Sequence, residues 1–269
     1  MITYLFSDLD GTLLTPTGQV SPTTIATIQD SGLPLTLVSA RAPIEMLPPL
    51  AALNLTGPQI AFNGGLIFKV RGSQIIPLRS HPLTKSCLAT LLRMIQNNFP
   101  TVSLSCYTQN NWYTERIDRG TLTEQILTGQ TAQITTYDQL LVKPNTAFYK
   151  VMVMSLDTAL LQRLAVALRQ LDLTDISIKR SGETYLEITS KLAQKSTGVQ
   201  FIKDYYHLNT SETAAFGDGE NDLPMLKAVG TPIVMGNATP EIKRQGVWVT
   251  TTNAEDGVAY AIQYYLRGE

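Results

Sequence analysis

Residues 6–12 read FSDLDGT, and they close a short apolar run, ITYLF at residues 2–6, that is strand-prone. Asp8 and Asp10 stand two apart, directly ahead of Gly11 and Thr12. Like charges held a few ångströms apart oppose each other's ionisation unless a cation lies between them. The pair is therefore either a solvated turn or a cation site. Residues two apart on an extended strand end face the same side. Asp8 and Asp10 are thus expected to address one ligand, with Leu9 turned away into the core.

The rest of the chain decides between the two. Three further polar loops follow strand-like runs. LPLTLVSA (33–40) leads to Ser39, Ala40 and Arg41; QIAFNGG (59–65) ends in Asn63, Gly64 and Gly65; TAAFGDGEND (213–222) ends in Asp218, Asn221 and Asp222. Helical stretches separate the strands. SPTTIATIQDSG (21–32) has Ser21 placed to cap, Pro22 in the first turn and Gly32 at the end. APIEMLPPLAALNL (42–55) reads as a second helix weakened by Pro48 and Pro49. Strand–helix–strand alternation predicts an α/β fold with a Rossmann-like, doubly wound, mainly parallel sheet. In such sheets ligands sit beyond the carboxyl ends of the strands. If the four strands are neighbours, their loops converge.

The middle has a different texture. LTKSCLATLLRMIQNNF (83–99) is an amphipathic helix. Strand-like runs, TVSLSCY, NWYTER and FYKVMVMSL, follow it in sequence, and ISIKRS and TYLEIT flank Gly182 as a hairpin. This α+β pattern predicts a second domain inserted into the first: an α/β core from 1–81 and 188–269, with an α+β insert over 82–187.

Composition excludes several classes. Twenty-one basic and 22 acidic residues leave a net charge of −1, far from the basic excess of a nucleic-acid binder. No apolar run reaches the roughly 18–20 residues of a membrane span. The two cysteines, Cys87 and Cys106, have no metal or redox spacing and are expected to be buried thiols. A reducing, cytoplasmic setting fits them, with no membrane and no nucleic acid as partner. Oligomeric state is not legible.

Converging loops would gather Asp8, Asp10, Asp218 and Asp222. Several carboxylates stay ionised together only with a counter-ion, and Mg2+, a hard cation taking carboxylate oxygens and sharing its shell with phosphate, suits them. The Ser39 hydroxyl, glycine-turn amides and a lysine, Lys195, would then suit a phosphoryl group.

The ordered set resembles the haloacid dehalogenase superfamily. Asp8-Leu9-Asp10-Gly11-Thr12 matches its first motif, Ser39 its second, Lys195 its third, and Gly217-Asp218-Gly219-Glu220-Asn221-Asp222 its fourth. FNGG (62–65), MGNA (235–238) and NAEDGVAYAI (253–262) are similar to the Cof-type phosphatases, which carry a large α+β cap between the second and third motifs. The family places glycine directly after the lysine. Here Ser196 follows and Gly198 comes two later, and Lys191 is a rival.

The resemblance implies a Mg2+-dependent phosphatase acting on a small phosphorylated metabolite, sugar phosphates first, through an aspartyl-phosphate. Asp8 would be the nucleophile and Asp10 the acid and base. Mg2+ would be held by Asp8, the main-chain carbonyl of Asp10 and Asp218. Asp222 would orient the metal's water shell or Lys195. Lys195 and Ser39 would hold phosphoryl oxygens; Ala40, Arg41, Asn63, Gly64 and Asn221 would line the phosphate and substrate site. The cap would cover the site and exclude water. A phosphomutase or phosphotransferase using the same intermediate, and a non-enzymatic phosphate-responsive regulator, are the alternatives.

Overall fold

The computed structural model describes residues 1–266. The chain divides into two compact units. Met1–Arg41, Met46–Leu78 and Gln194–Glu269 form one; Ala42–Glu45 and Arg79–Ala193 form the other.

The first third contains β1 (Tyr4–Ser7), α1 (Pro22–Ser31), β2 (Leu35–Leu37), α2 (Pro43–Ala52), β3 (Gln59–Ala61), β4 (Leu66–Arg71) and β5 (Gln74–Ser80). Ser21 caps α1 by accepting from the Thr24 amide, and Gly32 ends it in the left-handed conformation. Helix α2 runs through Pro48 and Pro49. The insert supplies α3 (Lys85–Asn98), β6 (Ser103–Tyr107), β7 (Trp112–Thr114), α4 (Arg119–Thr128), β8 (Gln133–Ile134), α5 (Tyr137–Val142), β9 (Lys150–Met154), α6 (Thr158–Arg169), β10 (Ile176–Ser181) and β11 (Tyr185–Ser190). The chain then returns through α7 (Lys195–Tyr206), β12 (Thr213–Gly217), α8 (Leu223–Leu226), β13 (Thr231–Val234), α9 (Pro240–Lys243), β14 (Trp248–Val249) and α10 (Gly257–Ala261).

In the first unit, five strands pair in the order β14-β13-β12-β1-β2, all parallel. A parallel bridge from Val38 to Ile60 brings β3 alongside β2. Loops after β12, β1, β2 and β3 therefore emerge side by side at one end of the sheet. Parallel strands buried on both faces read as continuous apolar runs, and the pattern of β1 and β12 is buried throughout. Phe6, Ile60, Val199, Ile202, Ala215 and Val234 share one core cluster.

In the second unit, the strand order is β10-β11-β9-β6-β7-β8, antiparallel except where β7 meets β8. One face packs Leu104, Cys106, Val151, Val153, Leu186 and Ile188 against Leu88, Leu91, Leu92, Leu161 and Leu164 of α3 and α6. Both cysteines are buried free thiols. Among the described residues, no helix is long and apolar enough to cross a membrane.

Candidate active site

The first strand stops sooner than the sequence reading expects. Strand β1 ends at Ser7, and Leu9–Leu13 form a tight turn with Gly11 at φ 80. The amide of Asp8 still donates to Phe216 O across to β12. Beyond it the chain curls, so Asp8 and Asp10 part company. Asp8 is 5 % exposed and Leu9 fully buried, while the Asp10 side chain is 59 % exposed. Leu9 leaves the extended conformation, which breaks the period-two alternation between the two aspartates, and Gly11 then turns left-handed; the charge of Asp10 still bears on Asp8 and Asp218. Asp10 instead accepts two hydrogen bonds from Arg41, from Nε at 2.8 Å and Nη2 at 2.6 Å. Its carboxylate lies outside the acidic cluster formed by Asp8, Asp218 and Asp222.

Those three each place a carboxylate oxygen within 4.8 Å of the others. Lys195, at the first position of α7 and 1 % exposed, donates to Asp8 Oδ1 at 2.5 Å and to Asp222 Oδ1 at 2.6 Å. Lys191 is exposed in the other unit. Burial alone would depress the Lys195 pKa, but Asp222 and Asp8 outweigh it and keep the ammonium protonated. Burial, then the charge of Asp222, pushes Asp8 well above the usual carboxylate range, with Lys195 opposing. Asp218 is pushed up to about 6 by burial, despite the hydrogen bond it accepts from Thr12 Oγ1 at 2.8 Å.

Asp222 is fully buried and committed on both oxygens. Its Oδ2 accepts from the amides of Asp218 and Gly219, each at 2.9 Å, while its Oδ1 takes Lys195. It therefore clamps the loop after β12 to the lysine. Two glycines permit the assembly. A Cβ on Gly11 would lie 2.4 Å from Asp218 Oδ2, and one on Gly64 2.3 Å from Gln194 O. Gly64 thus lets the loop after β3 abut the residue before Lys195. Gly198 plays a packing part: its Cβ would lie 2.8 Å from Ile60 Cγ2, so α7 sits close on β3.

Ser39 is 1 % exposed, with Oγ accepting from the Arg41 amide at 3.1 Å and its carbonyl accepting from the Asn63 amide. Asn63 is buried at φ 55 with Oδ1 lacking any hydrogen-bond partner. Asn221 lies in the turn after Gly219, where a Cβ on Gly219 would meet its Oδ1 at 2.6 Å. The stretches MGNA (235–238) and NAED (253–256) supply two asparagines to the loop after β1. Asn237 Nδ2 donates to Gly11 O at 2.8 Å, and Asn253 donates to Leu14 O through Nδ2 at 2.7 Å and to Asn237 Oδ1 through its amide at 3.1 Å. These asparagines brace the aspartate loop from behind. The polar residue in each motif was the available signal.

Three carboxylates, Asp8 and Asp222 buried and Asp218 half-buried, cluster with one ammonium, so the site favours a further positive charge. Its donors are all oxygen, which suits a hard cation such as Mg2+ and not a thiophilic metal.

Residues 5–262 match the family model described as haloacid dehalogenase-like hydrolase. A Haemophilus influenzae protein, whose name assigns it provisionally to the phosphatases, is 31% identical over 267 residues, covering 98% of each chain. A Yersinia pseudotuberculosis protein named HMP-PP phosphatase is 27% identical, covering 96% of this chain and 93% of that one. Among solved structures, a haloacid dehalogenase-like hydrolase from Bacteroides thetaiotaomicron superposes with a TM-score of 0.88 at 24% identity, over 98% of this chain and 99% of that chain. A Thermotoga maritima protein gives 0.86 at 22%, over 98% and 97%.

Proposed function

The chain belongs to the haloacid dehalogenase-like hydrolases, and on that premise we propose that it is a Mg2+-dependent phosphatase hydrolysing small phosphomonoesters, sugar phosphates foremost, through a phosphorylated Asp8. The observation that carries this reading is the ammonium of Lys195 shared between Asp8 and Asp222, with Asp218 in the same cluster.

Lys195 holds Asp8 by Oδ1, which leaves Oδ2 to attack phosphorus. The new P–O bond forms as the ester P–O bond breaks, and the leaving oxygen takes a proton from Asp10. Water then attacks the same phosphorus, gives its proton back to Asp10, and the Asp8–phosphoryl bond breaks to free phosphate. Arg41 holds Asp10 by both oxygens and orients it for this exchange. Lys195 and the Ser39 hydroxyl, with amides of the first loop, neutralise charge on the transferring group. Asn63 offers its unpartnered oxygen to the substrate, alongside Ala40, Gly64 and Asn221. Mg2+ bound by the carboxylates of Asp8 and Asp218 and the carbonyl of Asp10 would screen the phosphate from the attacking carboxylate. Asp222 acts through Lys195 and the loop it clamps. The insert expected over 82–187 is read as the part that selects among phosphomonoesters.

The test is phosphate release over a broad phosphomonoester panel with Mg2+. Asp8→Asn should be inactive yet melt no lower than the native chain, because one like charge has left a crowded site. Release near the native rate by Asp8→Asn would place the nucleophile elsewhere.

A further inference from the structure

The turn that carries Asp10 has a defined type. Asp10 stands at φ −77, ψ 119 and Gly11 at φ 80, ψ −5. These are the angles of the two central residues of a type II β-turn, whose second central position needs a positive φ. A type I turn over the same residues would change ψ of Asp10 by about 150° and φ of Gly11 by about 170°. Together the two rotations turn over the single peptide between them. The Asp10 carbonyl would then face the opposite side of the turn, while the flanking residues stay nearly in place.

Glycine by itself does not choose between the two turns, because it takes positive and negative φ about equally well. The choice falls to the groups that hold the far end of the turn. Gly11 O accepts from Asn237 Nδ2 at 2.8 Å, and Thr12 Oγ1 donates to Asp218 Oδ1 at 2.8 Å. Asn237 is itself oriented. Its Oδ1 accepts from the Asn253 amide at 3.1 Å, so each end of the carboxamide is assigned by a partner. The loop that carries it is packed close. The Gly236 amide donates to Thr251 O at 3.0 Å, and a Cβ on Gly236 would lie 2.9 Å from Thr250 O. Asn237 is exposed, so water can replace its hydrogen bonds and they add little to the stability of the fold. What they add is direction.

We propose that Asn237, on the loop after β13, is a positioning residue for the cation. By holding Gly11 O it keeps the Asp10–Gly11 peptide in the type II orientation. It thereby keeps the Asp10 carbonyl on the side of the turn from which that carbonyl joins Asp8 and Asp218 around Mg2+. Asn237 itself stays outside the metal's ligands and acts through the peptide it holds. Asn253 acts one step further back, through the Asn237 carboxamide. The assignment rests on the Mg2+ reading above and deepens it.

Asn237→Asp separates direction from charge. Its carboxylate keeps an acceptor for the Asn253 amide and loses the donor to Gly11 O. It also brings a negative charge beside the aspartate loop, which by charge alone would tighten a divalent cation. Mg2+ is titrated by calorimetry, without substrate, into the native chain, Asn237→Ala and Asn237→Asp. Affinity is expected to fall about threefold or more in Asn237→Ala and about tenfold in Asn237→Asp, the scale of one lost hydrogen bond. Thermal midpoints of the metal-free chains should be unchanged. The Mg2+ concentration giving half-maximal phosphate release should rise by the same factors. Native affinity in Asn237→Ala, or tighter binding in Asn237→Asp, overturns the proposal, and so does a native chain that binds no Mg2+. Affinities that fall as stated in a chain that releases no phosphate would count against the phosphatase reading alone, because the titration needs no turnover.

Discussion

Arg41 grips Asp10 with two prongs, Nη2 on Oδ1 at 2.6 Å and Nε on Oδ2 at 2.8 Å, and so holds a loop carboxylate apart from the buried aspartates. The Asp10 side chain is 59 % exposed, so the pair adds little to stability. Its value is orientation. Arg41→Lys keeps the charge but loses the planar fork. We expect kcat to fall about 10-fold or more in Arg41→Lys as well as in Arg41→Ala, with thermal midpoints unchanged. Native kcat in the lysine variant would show that charge alone suffices.

Lys195 offers the opposite case, a pair with nowhere to hide. Both partners, Asp8 and Asp222, are buried. Removing the cation from Lys195→Met leaves two carboxylates uncompensated, which costs roughly 3–5 kcal/mol in comparable sites. Activity should fall about 100-fold or more, the size expected for loss of a group that stabilises developing charge. Stability should fall with it and recover in part with millimolar Mg2+. A variant as stable as the native chain would mean that the aspartates give up their charge at little cost.

Gly11 reports on the cation site by geometry. At φ 80, with Asp218 Oδ2 2.4 Å from any added Cβ, alanine must both strain the turn and push the carboxylate aside. The backbone strain alone costs about 1–2 kcal/mol. Gly11→Ala should weaken Mg2+ binding at least tenfold by calorimetry. In the native chain, chelator should abolish phosphate release and Mg2+ should restore it. Unchanged Mg2+ affinity in Gly11→Ala would separate Asp218 from the metal.

Much of this site was legible because its residues sit at strand ends, where the α/β rhythm announces them. Asp8, Asp218, Asp222 and Lys195 do converge, and Lys195 is distinguished from Lys191 by opening an apolar helix. Three things were not legible. How the loop after β1 curls depends on Gly11 turning left-handed against Asp218, a contact from 207 residues away in sequence by the numbering. The Arg41 grip and the Asn237 and Asn253 braces are likewise long-range. Helix α4 escaped because its pattern is inverted. Leu122, Ile126 and Leu127 are exposed, while Gly120 and Thr121 are the buried positions. Apolar periodicity therefore pointed the wrong way.

The cap of α4 provides a test of stability against pH that does not touch the active site. Asp118 accepts from the Thr121 amide at 3.0 Å and from the Thr121 and Ser103 hydroxyls. Burial would raise its pKa, but these hydrogen bonds, Ser103 first, hold it below its ordinary 3.8. A carboxylate with a depressed folded value stabilises the fold above the unfolded value, and the contribution drains away as pH falls through the folded one. Asp118→Ala should therefore cost about 1 kcal/mol at neutral pH, typical of a lost N-cap. The gap between native and variant urea midpoints should hold from neutral pH down to about 5 and narrow below about 4. The Ser103→Ala variant should reproduce part of the loss with the same acid dependence, since it removes a donor to the same oxygen. A gap that stays constant into acid would mean that Asp118 caps the helix by shape and not by charge.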